Sequence, residues 1–351
     1  MTQANVTRSG EGQTAQALHS LLIGYRSARA LYVAVKFGIA DLLKKGSKSV
    51  TELAQATGTH APSLTRLLRA TAALGVFEEV APAVFAQSER SAYFCTDHPS
   101  GMYYMALLLG SDCEIAAMHG LEYAIQTGQP AFDHIHGMTY WTYLAHHPQY
   151  EDIFQRATAA YSFIDNEAIL QAYDFSAVRT LIDGGGGLGS FLLAVLNKYP
   201  SMHGILFDRP VVIAKAKTAI AQSNCADRYI LQAGDLFTSV PPGADTYFLK
   251  QVLHCWDDEH CLTILNTCRR SMQPHSKLLI CEVVMSSVNI RMLDGLYDLT
   301  MLVRNPPEVH ERTADEFRTL LTKAELHLSR IIPTVGRHSI IEATLREASV
   351  R

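Results

Sequence analysis

Five short apolar runs in the second half of the chain constrain its fold more than any other feature. They are Val178–Asp183, Gly204–Asp208, Tyr229–Ala233, Thr246–Leu249 and Lys277–Val284, each followed by a helix-like or loop segment. Runs this short and this continuously apolar read as strands covered on both faces, and the segments between them supply the cover. Strand and helix alternation of this kind predicts a mostly parallel α/β sheet with helices on both sides. The texture begins at Tyr173, so a domain border is expected near residue 172. At ~150 residues per domain, a chain of 351 residues leaves room for a second domain before it.

That first part reads as helical. The polar stretch 1–15 lacks apolar periodicity and is expected to be a disordered lead. From Ala17 to Lys45 the apolar residues recur at helical spacing (Leu18, Leu21, Leu22, Tyr25, then Leu31, Val35, Ile39, Leu42), and Gly46 stops the pattern. Ser49-Val-Thr-Glu52 forms a capping box, Pro62 suits a first helical turn, and short β-type runs follow at Val76–Val80 and Ala83–Gln87. Helix, turn, helix and small hairpin make a winged helix. Its second helix carries Arg66 and Arg69 but no basic cluster, so packing and dimerisation are expected of it rather than nucleic-acid binding. Residues 101–172 continue as helical, aromatic-rich sequence suited to core packing and to the wall of an apolar pocket.

Composition removes several classes of function. Thirty Lys and Arg against 34 Asp and Glu give a net charge of −4, with no overall pull toward nucleic acid or an anionic membrane. No apolar run approaches the ~20 residues that span a bilayer, and the polar start lacks an export signal. Seven cysteines without a CxxC pair suggest neither a disulfide framework nor a zinc knuckle, so a cytoplasmic protein is expected.

The turn after the first of the five runs reads Asp183-Gly-Gly-Gly-Gly-Leu-Gly189-Ser. Glycines between strand and helix let a ligand approach the backbone while the helix start presents free N–H groups. Asp208 ends the next strand at the spacing of a ribose-binding acid, and Gly234-Asp235-Leu236-Phe237 places a third carboxylate beside an apolar platform suited to adenine. Asp183 would repel the pyrophosphate of a dinucleotide, whereas S-adenosylmethionine carries an ammonium and a sulfonium in place of phosphate. The three acids therefore favour the sulfonium cofactor.

The segment Phe248-Leu-Lys250-Gln-Val-Leu-His254-Cys-Trp256-Asp257-Asp258-Glu259-His260-Cys261 resembles the LKxxLHDWxDEHC signature of small-molecule O-methyltransferases, typified by plant caffeate and chalcone enzymes and by bacterial polyketide-tailoring enzymes. Similar matches run through Leu31–Leu43, Gln129–Gly137, Glu311-Arg312-Thr313 with Phe317, and Ile340-Ile341-Glu342-Ala343, covering nearly the whole chain. The resemblance implies a Rossmann-like methyltransferase domain over 173–351, with a mostly parallel seven-stranded sheet. It implies a mainly helical, winged-helix-like dimerisation domain over 16–100 and a helical linker and substrate-pocket region over 101–172. A homodimer follows, each subunit's N-terminal helices helping to close its partner's pocket. Asp183, Gly185, Gly187, Asp208, Asp235, Leu236 and Lys250 should line the S-adenosylmethionine site. His254 should be the general base, flanked by Glu282 and Glu311, while Thr158 and Tyr161 should touch the acceptor, a small aromatic hydroxyl compound. A histidine is available as a neutral base near pH 7, and a carboxylate on its other nitrogen fixes the tautomer. No metal is expected, because no ligand-spaced cluster stands beside these residues in the sequence.

The chain departs from the pattern in three places. Cys255 stands where the signature has aspartate; Arg304-Asn-Pro306-Pro307-Glu-Val-His310 replaces a short glycine turn before Glu311; His275-Ser276 replaces a Gly-Gly turn and is read as a surface change. The first two keep open a cyclase, hydroxylase or decarboxylase that uses the cofactor's charge without methyl transfer, and N-methylation of an amine is a third reading.

Overall fold

The computed structural model describes residues 3–221 and 223–346, with the side chains of 3–12, 160, 161, 163, 164, 218, 219 and 221 outside that description. The chain divides into two units, Met1–Ile115 with Pro148–Ala160, and Ala116–His147 with Tyr161–Arg351. The interval 101–172 is thus shared between them, and the helix Pro148–Ala172 belongs to both.

In the first unit the expected continuous helical stretch 17–45 is three helices, Gln3–Leu22, Gly24–Lys36 and Ile39–Leu42. Gly38, at φ +64°, makes the second break in a left-handed conformation that glycine adopts without strain. The lead read as disordered is instead helical from Gln3. Local backbone hydrogen bonding suffices for this, and Leu18, Leu21 and Leu22 remain 57–75% exposed. The capping box forms: Ser49 Oγ accepts from Glu52 N, and Ser49 N donates to Glu52 Oε2 at 2.7 Å, opening the helix Val50–Thr57. The helix Ala61–Ala73 carries its proline in the first turn. Strands β1 (Lys48–Ser49), β2 (Phe77–Ala81) and β3 (Val84–Gln87) pair in the order β1-β3-β2. Leu53, Leu64, Leu68, Phe77 and Phe85 are buried among them, as a winged helix requires.

The second unit is built on β4 (Thr180–Gly184), β5 (His203–Asp208), β6 (Tyr229–Ala233), β7 (Thr246–Lys250), β8 (Lys277–Met285), β9 (Arg312–Thr313), β10 (Leu326–Pro333) and β11 (His338–Leu345). The main sheet runs β10-β11-β8-β7-β4-β5-β6, with β9 paired to the end of β8. Strands β4 to β8 are parallel, and β11 is antiparallel to both its neighbours. Successive residues serve opposite faces: Leu181, Phe248 and Leu279 join one apolar cluster, while Ile182, Leu249 and Ile280 join the other. Both faces are buried, which is why these strands read as continuous apolar runs rather than as alternating ones. The strand order reverses between β4 and β7, since the chain moves outward through β5 and β6 and returns to start β7 on the other side of β4. Sheets of this kind bind ligands at that reversal, outside the carboxyl ends of the strands.

Leu279 is fully buried at the centre of the sheet. Leu279→Ala should lower unfolding free energy by ~2–5 kcal/mol, read as a lower urea midpoint; a loss below about 1 kcal/mol would mean that this layer is not the stabilising core.

Candidate active site

At the end of β4 the backbone turns through Gly185, Gly187 and Gly189, all with positive φ. Gly187 N–H donates to Asp208 Oδ2 at 2.9 Å, and Arg209 N–H donates to Oδ1 at 2.7 Å, so β5 ends against the turn. A side chain at 186 would collide with Asp183, and one at 189 with the Tyr229 hydroxyl, which explains why these two positions tolerate only glycine. Asp183 is completely buried, and neither of its oxygens has a hydrogen-bond partner of good geometry among the described residues. Burial pushes its carboxyl up to about 7, Lys250 opposing and Asp208 adding to the effect. Asp208 is also raised by burial, against the backbone donors that hold it. Leu236 packs beneath Gly184 and Gly185, while Asp235 is exposed, its Oδ1 accepting from Phe237 N at 2.9 Å. Lys250 closes β7, its Nζ donating to Asn166 Oδ1 at 2.9 Å; burial lowers its pKa, against the pull of Cys281, Asp183 and Asp165.

Four residues further on, a second group assembles on the same carboxyl edge. Glu282 lies in β8 with no exposed surface. Its Oε1 accepts from Val252 N and Leu253 N, both at 2.8 Å, and its Oε2 lies 2.8 Å from His254 Nδ1. Arg312 in β9, 1% exposed, donates to the carbonyls of Leu253 (3.0 Å) and Trp256 (2.8 Å) and to Asp258. The segment bearing His254 is therefore clamped by a buried anion on its donors and a buried cation on its carbonyls. Glu311, immediately before Arg312, has Oε2 buried without a partner, and burial raises its pKa despite His254. One ligating atom from each of His254, Glu282 and Glu311 lies within 4.8 Å of the others, so the structure brings together the three residues that the resemblance groups, although they lie far apart along the sequence. Burial works against a charged His254, but the Cys255 sulfur and the Glu282 carboxylate outweigh it, and the imidazole pKa rises well above 6.5. Glu282 is lowered in spite of its burial, by His254, His338 and the backbone donors.

Of the two residues assigned to the acceptor, Thr158 and Tyr161, only Thr158 has a described side chain. Thr158 belongs to the first unit, and its hydroxyl donates back to the Phe154 and Gln155 carbonyls. The Tyr161 side chain lies outside the described residues. Ser276, read as a surface change, is fully buried and donates to the Ala244 carbonyl at 2.7 Å, replacing a flexible turn with a tied one. Arg312 was visible only as a letter in a motif. Asp165, Gln251 and His338, which flank Lys250 and β8, carried no signal at all.

Residues 118–327 match the O-methyltransferase domain family and residues 19–97 the O-methyltransferase dimerisation domain family. The chain is 39% identical to a phenazine O-methyltransferase of Lysobacter antibioticus over 98% of its own length and 99% of the relative's. It is 34% identical to a mitomycin biosynthesis 6-O-methyltransferase of Streptomyces lavendulae, over 95% of each chain. The crystal structure of CalO1, a methyltransferase in calicheamicin biosynthesis in its SAH-bound form, superimposes with a TM-score of 0.84 at 33% identity, covering 95% of this chain and 98% of that one.

Because the Glu282 carboxylate, after the Cys255 sulfur, raises the imidazole pKa, Glu282→Gln should lower the His254 pKa, while the amide oxygen still accepts from Val252 and Leu253. Imidazole proton resonances followed against pH would show this, and an unchanged titration would refute the assigned coupling.

Proposed function

The chain belongs to the S-adenosylmethionine-dependent O-methyltransferase family, and from that premise we propose that it methylates a hydroxyl of a small aromatic metabolite with His254 as general base. The observation that carries the reading is the 2.8 Å pair between His254 Nδ1 and the buried Glu282 carboxylate, with Glu311 beside it at the carboxyl edge of the sheet. Proximity to the glycine turn supplies the second half of the argument. A buried carboxylate without a partner, Asp183, beneath a turn whose glycines leave the backbone open, suits a ligand that brings positive charge.

In this reading Asp208 holds the ribose hydroxyls, Asp235 and Leu236 hold the adenine, and Gly185 and Gly187 let the cofactor lie against the backbone. Asp183 and Lys250 serve its amino-acid end. Bound S-adenosylmethionine would supply an electrophilic methyl carbon on cationic sulfur. His254 Nε2 takes the proton from the acceptor hydroxyl, which makes the oxygen a competent nucleophile. Glu282 fixes the proton on Nδ1 and stabilises the imidazolium that forms, and Glu311 lies on its other flank. Thr158 and Tyr161, carried over from the resemblance, are the proposed acceptor contacts. The exposed stripe Leu18, Leu21, Leu22 and Tyr25 in the segment preceding and entering the dimerisation domain favours a homodimer, because a second copy would cover it. The relatives' names, a phenazine O-methyltransferase and a mitomycin biosynthesis 6-O-methyltransferase, favour a small-molecule acceptor of the antibiotic-tailoring type.

Incubation with S-adenosylmethionine and a panel of hydroxylated arenes should give S-adenosylhomocysteine in step with a product heavier by one methylene. Cofactor-dependent conversion without S-adenosylhomocysteine would instead support the non-methylating alternative. His254→Ala should reduce kcat by ~10²–10⁴-fold with cofactor affinity nearly unchanged. The base works only when unprotonated and its pKa is raised, so kcat/KM should climb with pH through an apparent pKa above 6.5. A flat profile between pH 6 and 8 would remove His254 from the proton transfer.

A further inference from the structure

Buried charge near Lys250 does not balance within the protein. Asp183 has no exposed surface and no good partner for either oxygen; Asp165, on the helix Pro148–Ala172, is 6% exposed, and its Oδ2 has no partner among the described residues. Both carboxylates attract the Lys250 ammonium electrostatically, yet its hydrogen bond goes to the neutral Asn166 side chain. Two carboxylates and one ammonium therefore lie in a dry region with both Asp183 oxygens and one Asp165 oxygen vacant among the described residues, which is costly unless a ligand completes the set.

Asp165 is also held in place. Its Oδ1 lies 3.1 Å from His338 Nδ1, and His338, 3% exposed at the start of β11, has its Nε2 3.0 Å from the Gln251 side-chain nitrogen. The Gln251 amide can only donate there, so Nε2 accepts and the proton sits on Nδ1, within ion-pair distance of Asp165 but without the geometry of a hydrogen bond. Gln251 sits at φ +55°, a conformation that non-glycine residues adopt only when their surroundings enforce it. Its N–H donates to the Cys281 carbonyl at 3.0 Å, and its side chain is tied to His338. One polar chain thus runs from the corner beside Lys250 to a single aligned carboxylate with one vacant oxygen.

Resting on the cofactor reading above, we propose that Asp165 is a further cofactor-binding residue. It receives, together with Asp183, the α-ammonium of the cofactor's amino-acid end, while Lys250 receives its carboxylate. His338 and Gln251 are the positioning residues behind it. A zwitterionic amino acid matches the vacancy in sign: its cation meets the vacant carboxylate oxygens, and its anion meets the Lys250 ammonium, which is hydrogen-bonded only to the neutral Asn166 amide among the described residues. Sheet order agrees, because Asp208 and Asp235 follow β5 and β6 on one side of β4, whereas Lys250 and His338 belong to β7 and β11 on the other. The adenosine end and the amino-acid end thereby fall on opposite sides of the glycine turn.

The test compares S-adenosylhomocysteine, which has the amino-acid end, with 5′-methylthioadenosine, which lacks it, by titration calorimetry on the full chain. Asp165→Asn should weaken S-adenosylhomocysteine binding by about tenfold or more and leave 5′-methylthioadenosine affinity unchanged. His338→Gln, which keeps the carboxylate but loosens it, should weaken S-adenosylhomocysteine by a smaller factor with the same indifference to the truncated ligand. Equal losses for both ligands would mean that Asp165 only holds its helix, and undiminished S-adenosylhomocysteine binding would mean that it does not meet the ammonium; either overturns the proposal while sparing the cofactor reading. Failure of the wild-type chain to bind either adenosyl ligand would overturn both.

Discussion

The Glu282 carboxylate is the interaction on which the site depends. A charge with no exposed surface inside a parallel sheet is tolerated only when its oxygens are fully engaged. Here two backbone N–H groups and one imidazole engage it, all from the four residues that follow β7 and its corner. The carboxylate thereby fixes where that segment crosses β8, and with it the direction of the His254 ring. Arg312 does the same from the opposite side by binding the carbonyls of Leu253 and Trp256. One buried anion takes the segment's donors and one buried cation takes its acceptors. The loop after β7 is thereby tied to β8 and β9 through both its donors and its acceptors.

The central sheet was legible in the sequence because both its faces are buried. Tyr229–Ala233 matches its strand to the residue, and the other four runs differ by one or two positions at their ends. The hairpin β10–β11 was not announced in the same way. Its outer strand mixes Leu326, Leu328 and Ile331 with His327, Ser329 and Arg330, as an edge strand with one wet face does, and no continuous run stands out. The division of the chain was harder still, since no composition shift marks a helix shared by two units.

Within the site, legibility followed distance along the chain. The glycine turn and the acids at successive strand ends could be read because a strand-to-helix turn is a local event whose chemistry is written in adjacent letters. Glu282 and Glu311 became visible only through family resemblance, because nothing in Cys281-Glu-Val marks that carboxylate as the partner of a histidine in the turn after the neighbouring strand. Asp165 and His338, 173 positions apart, meet only after the helix before β4 and the last strand of the sheet have both been placed.

The substitution of Cys255 for the family's aspartate bears on the same electrostatics. An aspartate beside His254 would add a full negative charge to a ring already raised by Glu282, and each added carboxylate pushes the imidazole further toward its protonated form. The Cys255 sulfur standing there itself raises the imidazole pKa, ahead of Glu282. The chain thus retains the Glu282 carboxylate on Nδ1 and places a sulfur, rather than a second carboxylate, beside the ring. The departure therefore bears on the protonation of the ring and not on its place beside Glu282.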